Sequence, residues 1–103
     1  MADLIVGKGR EAKWGTTVSV QYVMGTYSAR KQVESTWSAP AFHFILGVGE
    51  VIPGWDKGLL GMRVGGRREL IVPPSLAYGA TSPRADIPPH STLVFIVDLV
   101  KIP

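Results

Sequence analysis

Apolar and polar side chains alternate from residue 17 to residue 23, and this is the clearest pattern in the sequence. Val18, Val20 and Tyr22 fall on one side of the segment, and polar residues alternate with them on the other. Successive side chains of a β-strand point to opposite faces, so a period of two indicates a strand with one face buried. We therefore predict a half-buried strand here.

Two later segments have the composition of strands. Residues 68–72 are charged and then apolar, and Pro73-Pro74 ends the segment because a proline nitrogen has no hydrogen to donate to a neighbouring strand. Residues 92–100 are mainly β-branched and apolar on both faces, which predicts a central strand covered on each side. Leu93 and Val97 of this segment are expected in the core.

One short helix is predicted between these strands, from Pro53 to Met62. Proline suits a first helical turn, and Trp55, Leu59 and Met62 recur at the spacing of one helical face. Gly58 and Gly61 each cost the helix about 1 kcal/mol relative to alanine. The helix should therefore be stable only when it packs on the sheet.

Together these elements predict an α+β fold in which the helix packs on one face of an antiparallel sheet. A proline-rich loop is expected from Pro73 to Pro89. Hydrophobic residues form 46% of the chain and charged residues 18%, a balance that argues against disorder. The length of 103 residues suits a single domain, which we assign to residues 1–103.

Composition excludes several kinds of chemistry. The sequence contains no cysteine, so disulfides, thiolate zinc sites and thiol nucleophiles are ruled out. The first residues lack the pattern of a leader, and no segment approaches the roughly 18 apolar residues of a membrane span, so we expect a cytoplasmic protein without a membrane partner. The net charge is +3, and the basic residues are scattered along the sequence, with Arg30-Lys31 and Arg67-Arg68 as the closest pairs. This favours a mildly basic surface over a nucleic-acid site.

The most specific motif is Glu50-Val51-Ile52-Pro53-Gly54-Trp55. It is followed by Gly65-Gly66-Arg67-Arg68, by Ala77-Tyr78-Gly79-Ala80 and by Ile87-Pro88-Pro89-His90-Ser91-Thr92-Leu93-Val94-Phe95. The order and spacing of these motifs resemble the FKBP family of prolyl isomerases. The resemblance extends from about Thr16 to Ile102.

The resemblance implies a five- or six-stranded antiparallel sheet curled around one short α-helix. It also implies a peptidyl-prolyl cis/trans isomerase that assists protein folding, with Xaa-Pro polypeptides as partners and tacrolimus- or rapamycin-like macrolides as further ligands. Carried over by motif, the catalytic candidates are Tyr22, Glu34, Tyr78 and Phe95. The candidates for binding substrate or macrolide are Val33, Phe42, Glu50, Val51, Ile52, Trp55 and Ile87. Trp55 would form the pocket floor, and the Tyr78 hydroxyl would face the bound carbonyl.

The chain departs from the family after its second strand. Family members usually carry Phe-Asp there, whereas this sequence has Gln32-Val33-Glu34, and two alignments are open. In the first, Val33 and Glu34 take those places, so the aromatic wall shrinks and the carboxylate moves outward by one methylene. In the second, Gln32 and Val33 take them and the carboxylate is lost. The alternative function is therefore a weakly active or non-catalytic binding module for proline-containing segments.

Prolyl isomerisation requires neither a metal nor a cofactor, and we expect none. Resonance gives the peptide bond a rotational barrier of about 18–20 kcal/mol. A pocket lowers this barrier when it removes water from the carbonyl and binds the twisted amide more tightly than the planar forms. His43 and His90 have no third ligand pattern, so a metal site is not predicted. We expect a monomer.

Overall fold

The computed structural model describes residues 1–28, 31–37, 39–80 and 87–102, and for Lys31 and Val33 it describes the backbone alone. The elements are β1 (Ala2–Ile5), β2 (Thr17–Thr26), β3 (Lys31–Ser35), β4 (Phe42–Ile45), α1 (Pro53–Gly58), β5 (Arg67–Val72), a 3₁₀ turn (Pro74–Leu76) and β6 (Leu93–Lys101). Residues 81–86 of the predicted proline-rich loop lie outside the described part of the chain. Among the described residues no helix is long and apolar enough to cross a membrane.

The ten-residue strand β2 organises the sheet, whose six strands pair antiparallel in the order β1-β5-β6-β2-β3, with β4 also paired to β2. One edge of β2 lies along β6. Its other edge is shared, because β4 pairs with residues 17–20 and β3 with residues 23–26. The sheet therefore splits into two branches at this edge of β2, one ending in β3 and the other in β4. Helix α1 packs on one face of the sheet, against β5. The predicted fold class is confirmed.

Helix α1 packs unusually close to strand β5. A Cβ atom on Gly54 would lie 2.4 Å from Cγ1 of Val72, and one on Gly58 would lie 2.8 Å from Cδ2 of Leu70. Gly58, which weakens the helix as an isolated segment, therefore permits its contact with the sheet, and Gly54 does the same one turn earlier. The predicted apolar face is buried, with Trp55 only 4% exposed, although the helix ends at Gly58 rather than at Met62.

Strand β6 has the predicted central position, between β5 and β2. Leu93, Phe95, Val97 and Leu99 are buried on its inner face, as expected for Leu93 and Val97. The prediction that both faces are covered is wrong, because Val94 and Ile96, which alternate with these, are only half-buried and Val100 is exposed. Their β-branched side chains fit the pleated surface of a strand without requiring full burial.

Arg68 connects the helix, the sheet and the N-terminal strand. Its side chain is buried, and Nε donates to Oδ1 of Asp3 at 2.6 Å. One of its terminal nitrogens donates to the carbonyl oxygens of Gly58 and Leu60 at 2.8 and 3.1 Å. The last carbonyl oxygens of a helix have no hydrogen-bond donor within the helix. Here the Arg68 guanidinium is the donor for the carbonyls at and just after the helix end. This arginine therefore does not contribute to the basic surface expected from the sequence.

The neighbouring Arg67 lies on the opposite face of β5. Its guanidinium makes two hydrogen bonds to the Asp98 carboxylate, of 2.7 and 3.1 Å, across the β5–β6 pair. These bonds, together with the charge of Asp98, raise the pKa of Arg67. Adjacent arginines in the sequence thus have different roles: Arg67 pairs on the surface, and Arg68 supports the interior.

We predict that Arg68→Met lowers the free energy of unfolding by about 2–4 kcal/mol, because it leaves two carbonyls and the Asp3 carboxylate without their donor. Urea denaturation followed by far-UV circular dichroism measures the change. The matched variant Arg67→Met removes a half-exposed pair and should cost clearly less. Equal losses for the two variants would contradict the role assigned to Arg68.

Candidate active site

Aromatic rings from four different elements meet beneath the start of α1. Trp55 packs edge to face with Tyr22 of β2, with ring centroids 4.9 Å apart at 90°, and with Phe95 of β6, at 5.3 Å and 81°. Phe42 of β4 completes the group at 6.2 Å from Trp55. Edge-to-face packing is favourable because the positive ring edge meets a negative ring face. The Nε1 atom of Trp55 is buried and has no hydrogen-bond partner among the described residues.

These rings form one side of a cavity of about 440 Å³, a volume in the usual range for small-ligand sites. Every site residue predicted from the sequence except Val33 lines it, and Met24 lines it as well. The side chain of Val33 lies outside the described part of the structure. The lining residues are Tyr22, Met24, Glu34, Phe42, Glu50, Val51, Ile52, Trp55, Tyr78, Ile87 and Phe95.

A β-bulge brings Glu34 to this cavity. Met24 pairs with Glu34 and Gly25 with Gln32, so Val33 is an extra residue in β3. The hydroxyl of Tyr22 donates to Oε1 of Glu34. Glu34, the carboxylate of the first of the two alignments, thus lies at the pocket wall.

The loop between β4 and α1 is fixed by two carboxylates. Asp56, in the first turn of α1, accepts from the amide nitrogens of Gly47 and Gly49 at 2.7 and 3.0 Å. Glu50 accepts from the amide nitrogen of Ile45 at 2.9 Å. Gly47 and Gly49 have φ angles of +91° and +81°, which favour glycine. These bonds set the position of the residues that follow, which form the pocket wall.

The wall opposite Phe42 comes from the segment after β5 and from the segment before β6. Tyr78 follows the 3₁₀ turn and is 40% exposed, whereas Ile87 is only 2% exposed. The amide of Gly79 donates to the carbonyl of Pro74, and the amide of His90 donates to the carbonyl of Gly79, both at 2.8 Å. This chain of bonds holds the two segments together, so that the Tyr78 ring stands at the pocket mouth.

Two residues of the site were not predicted from the sequence. Met24 is 4% exposed and lines the cavity, and it continues the alternation of Val18, Val20 and Tyr22 by one step. Extending that pattern would have found it. Asp56 accepts hydrogen bonds from backbone amides of a loop about eight residues earlier in the chain. The only feature of the sequence that could have indicated this role is a carboxylate in a first helical turn, shortly after two glycine turns.

The sheet, the helix and the aromatic pocket define a small α+β domain of the FKBP type. In agreement, residues 8–100 match the family described as FKBP-type peptidyl-prolyl cis-trans isomerase. The chain belongs to this family. The match confirms the family predicted from the sequence, which is a family of isomerases.

Similar proteins come from animals and bacteria. The 39 kDa FK506-binding nuclear protein of Drosophila melanogaster is 50% identical over 102 residues, covering 99% of this chain and 29% of the fly protein. The FK506-binding protein of Streptomyces anulatus is 45% identical over 102 residues, covering 97% of this chain and 82% of its own length. The chain thus spans about a quarter of the insect relatives and most of the bacterial one.

Solved structures have the same fold. AtFKBP13 superimposes with a TM-score of 0.87 at 34% identity, covering 99% of this chain and 90% of AtFKBP13. FkpA from Escherichia coli superimposes with a TM-score of 0.83 at 37% identity, covering 97% of this chain and 46% of FkpA. The architecture described above is therefore the FKBP fold.

We predict that Asp56→Asn loosens the loop between β4 and α1. An asparagine has one acceptor oxygen where the carboxylate has two, so one of the Gly47 and Gly49 amides loses its bond. The expected cost is about 1–2 kcal/mol of unfolding free energy, with faster hydrogen exchange at both glycine amides. Lys57→Gln, an exposed change at the next position, is the control. Unchanged exchange at Gly47 and Gly49 in Asp56→Asn would contradict the anchoring role.

Proposed function

We propose that this chain accelerates the cis/trans isomerisation of Xaa-Pro bonds in the cavity bounded by Tyr22, Trp55 and Phe95. The observation that carries the proposal is the convergence of ten residues, chosen from the sequence by family resemblance, on one apolar cavity. Such a cavity suits a proline ring, because the ring is apolar and its preceding carbonyl is the only strong acceptor nearby.

The chemistry that the pocket supports is removal of water. A water molecule bound to the carbonyl favours the planar, resonance-stabilised amide, and an aromatic wall offers no replacement hydrogen bond. The twisted amide loses this resonance and places less charge on its oxygen, so it tolerates the dry pocket better. Each 1.4 kcal/mol of this difference accelerates rotation about tenfold.

Polar groups at the mouth would orient the substrate. In our proposal, the Tyr78 hydroxyl donates to a substrate carbonyl. Ile52 has its carbonyl engaged by the amides of Trp55 and Asp56 at 2.9 and 3.3 Å, which leaves its N–H as the group to offer. Glu34 would hold the Tyr22 hydroxyl, and through it the ring that forms the inner wall.

Macrolides that contain a proline-like ring are proposed as ligands of the same pocket. The names of the fly and Streptomyces relatives, which describe them as FK506-binding, support this extension. Residues 1–103 are proposed to act as one monomeric domain. Location in the cytoplasm and the absence of a nucleic-acid partner stay predictions, since the fly relative is named a nuclear protein.

A non-catalytic binding module is the second candidate function. It is favoured by the sequence at Val33, where the family usually carries an aromatic residue, because a smaller wall excludes less water. The two functions share the pocket and differ only in rate. Binding of a Pro-peptide or macrolide without acceleration would identify the second.

We predict that the chain at micromolar concentration accelerates exchange of a short Ala-Leu-Pro-Phe peptide by at least about tenfold over the spontaneous rate, which takes tens to hundreds of seconds. Two-dimensional NMR exchange spectroscopy measures both rates without a coupling protease. Exchange at the spontaneous rate would refute the catalytic proposal. A mock preparation from cells that do not express the chain, purified in the same way, is the control for trace contaminants that catalyse the reaction.

The variant that separates pocket from core is Tyr78→Phe. Trp55 and Phe95 are almost fully buried, so their truncation would destabilise the fold as well as the pocket. Removal of the half-exposed Tyr78 hydroxyl should lower kcat/KM about twofold to tenfold, the value of one hydrogen bond, and leave the melting temperature nearly unchanged. The matched control is Tyr27→Phe, which removes the hydroxyl of a tyrosine that is exposed to a similar extent but does not line the prolyl cavity. Equal rates for the two variants would remove Tyr78 from the mechanism.

A further inference from the structure

A second hollow adjoins the prolyl cavity. Its volume is about 260 Å³, and it is lined by Trp14, Gly47, Gly49, Val51, Pro53, Asp56 and Lys57. Val51 lines both this hollow and the prolyl cavity, so the two are neighbours separated by one side chain. Space of about 150 Å³ holds a benzene ring, so the hollow is large enough for an aromatic side chain.

The position of Trp14 is fixed by backbone bonds. The amide of Gly15 donates to the carbonyl of Leu46 at 2.8 Å, and the amide of Leu46 donates to the carbonyl of Thr16 at 3.0 Å. The indole covers Gly47, where an added Cβ would lie 2.7 Å from Cδ1 of Trp14. The ring therefore lies against the same loop that Asp56 holds in place.

Trp14 nevertheless remains 67% exposed. Covering Gly47 uses only part of the ring, and a large exposed indole beside an apolar hollow is typical of a contact surface. Pro53 and Val51 extend the apolar surface from the indole to the prolyl cavity. Trp14 is thus accessible to a chain that already occupies the cavity.

We infer that Trp14 and this hollow form a second subsite, which binds an aromatic side chain of the same polypeptide whose proline occupies the main cavity. The inference rests on the proposed function, since the proline anchors the segment. The apolar surface continues across Val51 into the prolyl cavity, and this continuity favours the anchored polypeptide over a second copy of this chain as the occupant.

The geometry restricts where the aromatic residue can be in the substrate. An extended chain advances about 3.3 Å per residue. Two hollows separated by the width of one valine therefore correspond to side chains about two to four positions apart. Preferred substrates are polypeptides with Phe, Tyr or Trp at that distance from proline.

The experiment uses pairs of proline peptides that are identical except for Phe or Ala at one position, placed two, three or four residues from proline on either side. NMR gives the dissociation constant and the exchange rate for each peptide. At one spacing at least, we expect the Phe peptide to bind about threefold to tenfold more tightly than its Ala partner, the effect of one aromatic contact. The indole N–H signal of Trp14 should shift only with that Phe peptide.

The matched variants are Trp14→Ala and Trp37→Ala. Trp37 is also exposed, at 51%, and lines neither hollow. The Phe-to-Ala preference should disappear in Trp14→Ala and persist in Trp37→Ala. A melting temperature and an amide spectrum close to those of the unmodified chain establish that each variant is folded.

Three results would overturn the inference: equal binding of Phe and Ala peptides at every spacing, a preference that survives Trp14→Ala, or a Trp14-dependent dimer in sedimentation. Binding is measured separately from rate, so failure of catalysis is distinguishable from failure of the subsite. If a peptide is not accelerated but still shows the Trp14-dependent preference, the proposed catalysis is refuted and the proposed subsite is supported. Acceleration without the preference would do the reverse.

Discussion

The contact between helix α1 and the sheet is the constraint on which the rest of the structure depends. The helix has six residues and two glycines, so its own hydrogen bonds stabilise it little. It forms because Gly54 and Gly58 let its backbone approach Val72 and Leu70, and because Trp55 is buried among rings from the strands. The same contact that stabilises the helix builds the pocket floor. Fold stability and site geometry are therefore coupled at this tryptophan, whereas residues at the pocket mouth are free of that coupling.

Local patterns in the sequence predicted strands β2, β5 and β6 and the buried face of the helix, but they did not predict β1, β3 and β4. The alternation around Tyr22 and the spacing of Trp55 and Leu59 depend on neighbours in the chain. Val18, Val20, Trp55 and Leu59 are buried as these patterns predict, but Ser19, on the face predicted to be polar, is buried as well. Interactions between distant residues were not accessible in this way. Arg68 reaches a strand 65 residues away and the end of the helix, so its burial could not be inferred from a pair of adjacent arginines. The outward face of β6 was misjudged because β-branched residues suit a strand whether or not another layer covers it.

Family motifs in the sequence predicted most residues of the candidate site. They did not predict the β-bulge in β3, which determines the position of Glu34. Sequence spacing alone left two alignments for Gln32, Val33 and Glu34. Pairing with β2 in the bulged register brings the Glu34 carboxylate to the Tyr22 hydroxyl, as the first alignment requires. A single inserted residue in a strand reverses the faces of all residues beyond it unless a bulge absorbs it. The bulge thus places Glu34 against Tyr22 at the pocket, a contact that depends on strand pairing and not on sequence spacing.

The loop between β4 and α1 connects the two hollows physically. Asp56 holds its glycine amides, Trp14 lies on Gly47, and the loop continues into Val51 between the hollows. A side chain that binds against Trp14 would therefore press on the same loop that forms one wall of the prolyl cavity. Because hydrogen bonds from the Gly47 and Gly49 amides to Asp56 hold this loop against the helix, binding at Trp14 should move the wall of the prolyl cavity little. Occupation of the second subsite should then act through added binding energy for the substrate rather than through a change in pocket shape, which predicts a lower KM with kcat nearly constant for aromatic peptides.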